Sequence, residues 1–109
     1  MIKHLSHHEF LSQERPQNYI AIFKGSTDKK TGINWCSDCV EADPYIKKNV
    51  IPVAEERKIP LYIVECGLRE EWKKKDHPLR ICPKFNLKGV PTMIYVENGS
   101  YINLSLIHI

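Results

Sequence analysis

This chain of 109 residues has no long hydrophobic run and no strong excess of one charge sign. Tyr19–Phe23 is its longest unbroken apolar stretch, far short of the roughly 20 residues that span a bilayer. No apolar leader follows Met1 in Ile2–Glu9, so no secretory peptide is expected and a cytoplasmic location is. Basic residues number 16 and acidic residues 13, and the two signs alternate, as in Glu55-Glu56-Arg57-Lys58. The resulting charge of +3 is too mild and too evenly spread for a nucleic-acid footprint. Five glycines and seven prolines exclude collagenous or low-complexity chain, and no internal repeat is present. What remains is one domain, with 42% apolar residues to fill its core.

Four cysteines are present, and only Cys36 and Cys39 are close in sequence. A zinc site of the usual kind needs two close pairs, or a pair followed by closely spaced histidines. Cys66 and Cys82 form no such pair, and neither a second redox couple nor a metal site is expected of them. His4, His7, His8 and His77 lack ligand spacing and are expected at the surface.

The local pattern alternates strands and helices. Ile2–Leu5 reads as a strand, and Ser6-His7-His8-Glu9 as a capping box opening a helix to about Gln13. Tyr19–Lys24 and Leu61–Glu65 are short apolar runs suited to central strands buried on both faces. Gly25–Gly32 is a polar loop. From Cys39 apolar residues recur at helical steps through Ala42, Ile46 and Val50, with Pro44 predicting a kink and Pro52 a possible break. Gly67–His77 reads as a charged loop with a solvated Lys73-Lys74-Lys75, and Pro78–Phe85 as one or two helical turns. Thr92–Val96 is a third central strand, which Asn98-Gly99 turns back into a hairpin.

Trp35-Cys36-Ser37-Asp38-Cys39 carries the chemistry. A Cys-x-x-Cys at a helix start puts both sulfurs on one face, close enough for a disulfide. Free amides and the helix dipole stabilise a thiolate on the first sulfur, whose pKa in such motifs falls from about 8.5 toward about 7 or lower. Cys36 is therefore the expected nucleophile and Cys39 the resolving cysteine. Trp35 is a platform for substrate or a loop anchor. Asp38 relays the Cys39 proton or merely complements the dipole. The strand Tyr19–Lys24 contains no acid that could sit beneath the disulfide.

The residues Phe23-x-Gly25-Ser26-x-Asp28, Trp35-Cys36-x-Asp38-Cys39-Val40-x-Ala42-Asp43-Pro44, Gly67, Trp72 and Val90-Pro91-Thr92 resemble the thioredoxin domain-containing protein 17 family. The match runs from about Tyr19 to Tyr95. It implies an α/β thioredoxin-like fold, a central mixed β-sheet flanked by helices. It also implies reduction of protein or small-molecule disulfides, thioredoxin reductase as electron donor, and a cis Val90–Pro91 bond that brings the Val90 backbone beside the disulfide to pair with substrate. A monomer without bound metal or organic cofactor is expected. Competing readings are a glutathione-dependent, glutaredoxin-like reductase and a non-catalytic binding module.

Two departures stand out. Ser37 replaces the family's usual proline between the cysteines, and its amide or hydroxyl is expected to donate to the Cys36 sulfur. The family's terminal helix is expected to be missing, because Leu104–Ile109 is the peptide that an end sequence of transposon-based sequencing libraries encodes. The domain is therefore expected to span 1–103, with 104–109 a translated adaptor; the competing reading is a genuine edge strand.

Overall fold

The computed structural model describes the backbone of residues 1–106 and the side chains of residues 1–100. Five strands form one mixed sheet: β1 (Ile2–Ser6), β2 (Tyr19–Lys24), β3 (Leu61–Glu65), β4 (Thr92–Glu97) and β5 (Ser100–Leu106), in the spatial order β1-β3-β2-β4-β5. β3 pairs in parallel with both β1 and β2, whereas β4 runs antiparallel to β2 and to β5.

The two central strands divide their side chains between two cores, as period-two alternation requires. Tyr19, Ala21, Phe23, Tyr62 and Val64 enter the larger core, while Ile22 and Leu61 enter the smaller one. Helix α1 (His7–Ser12) covers the first face through Phe10, and the Ser6–Glu9 capping box that starts it is formed in both directions. The second face is covered by α2 (Ser37–Tyr45), a π-helical turn (Ile46–Val50) and α3 (Ile51–Glu56). Proline disrupts a helix because its ring meets the carbonyl four residues back. Here α2 accepts Pro44, and the expected break is a widened turn just ahead of Pro52, in which the Ile51 amide reaches back to the Ile46 carbonyl.

The charged loop after β3 holds more structure than its composition indicates. Arg69–Trp72 form a helical turn, α4, and Trp72 is buried; Pro78–Ile81 form α5. Asn98 and Gly99 turn the β4–β5 hairpin, both with positive φ, at 54° and 77°. β5 runs on through Leu104–Leu106, with Leu106 opposite Thr92 beyond an irregularity in the ladder; 107–109, and with them His108, lie outside the described residues.

Two histidines overturn their surface assignment. His7 and His77 are each only 2% exposed, whereas His4 and His8 are exposed. The Ser6 cap turns the His7 ring inward onto the end of β3, where Nδ1 meets the Glu65 carbonyl at 3.3 Å. His77 caps α5 by accepting the Leu79 amide on Nδ1 at 3.1 Å, and its Nε2 is 2.8 Å from the Cys66 carbonyl. Burial, reinforced at His7 by the His77 and His8 rings, holds both pKa values below the ordinary 6.5. The unfolded chain then takes up protons that the folded chain refuses. In chelator, stability should be flat above about pH 6.5 and fall as pH drops from there toward the folded-state values. The slope is at most about 1.4 kcal/mol per pH unit for each histidine. Urea unfolding between pH 5 and 8 measures it, and a flat profile contradicts it; the Glu9 carboxylate, held low by the Ser6 cap, acts only at more acidic pH.

Candidate active site

Cys36 is the N-cap of α2, with extended backbone angles, and its sulfur accepts the Cys39 amide at 3.2 Å. This is the ordinary capping geometry with sulfur in place of oxygen. It places Cys39 one turn on, with 5.2 Å between Cα atoms and the two sulfurs joined as a disulfide. The Cys39 sulfur faces inward, where the Gly25 amide approaches it at 3.4 Å. Cys36 Sγ lies 3.8 Å from the Val90 carbonyl, and the Val90–Pro91 bond is cis.

The donor to the Cys36 sulfur is thus the Cys39 amide, which corrects the expectation for Ser37. Ser37 sits at the first helical position, exposed, and among the described residues makes no hydrogen bond to that sulfur. The amide at that position points along the helix axis and not back at the N-cap side chain. Asp38 is exposed in the first turn, the position that complements the helix dipole.

Trp35 is anchored. Its indole Nε1 donates to the Gly67 carbonyl at 3.0 Å and its ring lies against Gly25. One edge of the ring still faces an open groove shared with Cys36, Asp38, Arg80 and Val90. Arg69 and Lys73 rim the same groove, making it cationic apart from Asp38. Arg80 is held over the Trp72 ring at 4.1 Å and donates to the Trp72 carbonyl at 2.8 Å.

Asn34 is a positioning residue that the motif reading passed over. Its Oδ1 accepts the Cys36 amide at 2.8 Å, and its Nδ2 donates to the Gly25 carbonyl, also at 2.8 Å. The signal was present: an asparagine two residues before a helix start closes an Asx turn. Gly25 therefore bonds to Asn34 through its carbonyl and to Cys39 through its amide, and its missing side chain makes room for Trp35. A Cβ at Gly25 would lie 2.7 Å from two indole carbons, which cannot rotate away. Gly25→Ala should cost about 1–3 kcal/mol in urea unfolding. An unchanged midpoint would show that the indole is not held there.

The remaining thiols stand apart. Cys66 is fully buried at the end of β3, and desolvation pushes its thiol far above the normal range; Cys82 is half-buried, and both are free. Among the described residues the buried polar side chains are His7, His77 and Thr92, so no carboxylate lies beneath the disulfide. No described helix is long and apolar enough to cross a membrane.

The chain is similar in sequence to known proteins. The thioredoxin domain of thioredoxin domain-containing protein 17-like proteins matches residues 3–106. Thioredoxin-like protein Clot of Arabidopsis thaliana is 40% identical over 83 residues, covering 76% of this chain and 60% of the relative. The Clot protein of Oryza sativa subsp. japonica is 35% identical over 83 residues, with 74% and 60% covered. Thioredoxin domain-containing protein 17 of Mus musculus is 30% identical over 84 residues, with 77% and 64% covered. The chain thus spans less than two thirds of the length of these relatives. With a mixed sheet, a cis-proline beside the disulfide and a helix-start Cys-x-x-Cys, the chain belongs to the thioredoxin domain-containing protein 17-like family.

Proposed function

We propose that the chain is a thiol–disulfide oxidoreductase that reduces disulfides of proteins or small molecules. The observation that carries this reading is Cys36 at the α2 N-cap, its sulfur against the Cys39 amide and beside the Val90 carbonyl. The Cys36 thiolate attacks one sulfur of a substrate disulfide. A mixed disulfide forms and the first substrate thiolate departs. The Cys39 thiolate then attacks Cys36 Sγ, the second substrate thiolate leaves, and the Cys36–Cys39 disulfide remains. Two electrons and two protons pass from the dithiol to the substrate. The Cys39 amide and the α2 dipole stabilise the Cys36 thiolate. An extended substrate backbone pairs with Val90 beside Pro91, and Trp35 and Asp38 border it. The cationic rim of Arg69 and Lys73 favours acidic substrate segments.

Electrons return from NADPH through thioredoxin reductase, and the chain works as a cytoplasmic monomer without bound metal in its redox cycle. Trapping tests the whole scheme. Cys39→Ser should accumulate mixed disulfides through Cys36, and the oxidised parent should be recycled by thioredoxin reductase. Recycling by glutathione alone would assign the chain to a glutaredoxin-like cycle. Absence of any mixed disulfide would leave a binding module.

A further inference from the structure

The first turn of α1 and the short helix α4 bring three ligand-type side chains together away from the thiol pair. We propose that His7, His8 and Glu71 bind one divalent transition-metal ion of the zinc type. The argument begins with His7. A carbonyl oxygen only accepts, so His7 Nδ1, 3.3 Å from the Glu65 carbonyl, carries the ring proton. Nε2 then presents a lone pair. That atom is buried, has no hydrogen-bond partner, and lies 3.4 Å from Glu71 Oε2. A lone pair facing a carboxylate oxygen at this distance calls for a cation between them. His77 cannot supply a donor, because both of its ring nitrogens are already engaged with Cys66 and Leu79.

His8 completes the set. Its Nε2 lies 3.7 Å from the same Glu71 oxygen, and ligand atoms of all three residues lie within 4.8 Å of one another. Zinc bonds of about 2.0–2.1 Å in a tetrahedron imply ligand–ligand edges of about 3.3–3.4 Å. Two of the separations are close to that value, and the exposed His8 can close the third. Soft adjustment is needed only at the exposed ligands; the buried one is already fixed. The Glu65 carbonyl on His7 Nδ1 is the outer partner that sets the tautomer of a metal-binding imidazole. Gly67 serves the same corner: φ is +100° there, and a Cβ would come within 2.7 Å of the Glu71 Cδ. Two neutral imidazoles and one carboxylate suit a borderline ion such as Zn²⁺ and leave a coordination position toward solvent.

Isothermal titration with zinc chloride at pH 7.5 tests the proposal. The protein should carry no histidine tag, hold Cys36 and Cys39 as the disulfide, and bear Cys82→Ser, so that no accessible thiol competes. One zinc per chain should bind. His8→Gln and Glu71→Gln, both at exposed positions, should each weaken binding at least about tenfold, with circular dichroism in chelator unchanged. These variants leave the thiol pair intact, so a failure here is separable from a failure of the reductase reading. No saturable binding below about 1 mM, or binding that survives either substitution, overturns the proposal.

Discussion

Cys36→Ser should lose at least about a hundredfold in the rate of insulin or cystine reduction, because exchange requires a thiolate and a serine hydroxyl supplies none at neutral pH. The fold should be untouched, since sulfur and oxygen both accept the capping amide that Cys36 takes from Cys39. The gain that the helix start gives the parent can be bounded. Lowering a thiol pKa from about 8.5 to about 7 raises the thiolate fraction at pH 7 from about 3% to about half. Over the same interval intrinsic nucleophilicity falls about fivefold, for a Brønsted slope of 0.4–0.5. The net acceleration is only about threefold, so under the proposed cycle any larger advantage over a free thiol would have to come from the nearby Cys39 and from substrate placement. Cys66→Ala with Cys82→Ser should keep nearly the parent rate, because one sulfur is sealed in the core and the other lacks a partner. Parent-like reduction by Cys36→Ser would sink the assignment of the nucleophile.

Phe10→Ala should be a severely damaging core change. The ring is fully buried and meets Tyr19, Phe23 and Tyr62 edge-on, with centroids 6.2, 5.5 and 5.7 Å away. Arg15 covers the same ring, its guanidinium carbon 4.3 Å from the centroid. Removing a phenyl group from such a site costs about 3–5 kcal/mol, a large part of the roughly 5–15 kcal/mol that holds a domain together. The midpoint of thermal unfolding should drop by more than about 10 °C. A loss below about 1 kcal/mol in urea would mean that α1 is not docked on the sheet.

How far the sequence carried the reading depends on the range over which each feature is determined. Tyr19–Lys24 and Leu61–Glu65 were legible because a strand buried on both faces must be apolar throughout. The thiol pair was legible because three residues of spacing at a helix start fix its geometry locally. The cis bond at Val90 was not readable from local chemistry, where trans dominates, and came from the family resemblance. His7 was misplaced because its burial depends on the Glu65 carbonyl, 58 residues away in the chain. Trp72 and α4 were hidden for a related reason: a four-residue helix has no periodicity to read, and its one apolar anchor sits among charges. Asn34 has a local cue, the Asx turn it closes on the Cys36 amide, but lies outside the Trp35–Cys39 motif.

The strand order has a consequence for how the chain assembles. β3 is the partner of both β1 and β2, with Leu61 opposite Ile2 on one side and Ile20 on the other. Neither parallel pair can form until the chain reaches Glu65. At about 5–20 residues per second a ribosome takes about 2–8 s to go from Lys24 to Glu65. Through that interval the first two strands must wait with unpaired edges and apolar side chains uncovered, which exposes the nascent chain to aggregation. Closing these distant contacts also sets the pace in a test tube, so refolding should fall in the slower range of small mixed domains. Among the described residues, the hairpin of β4 and β5, joined by Asn98 and Gly99, is the one strand pair free of this delay.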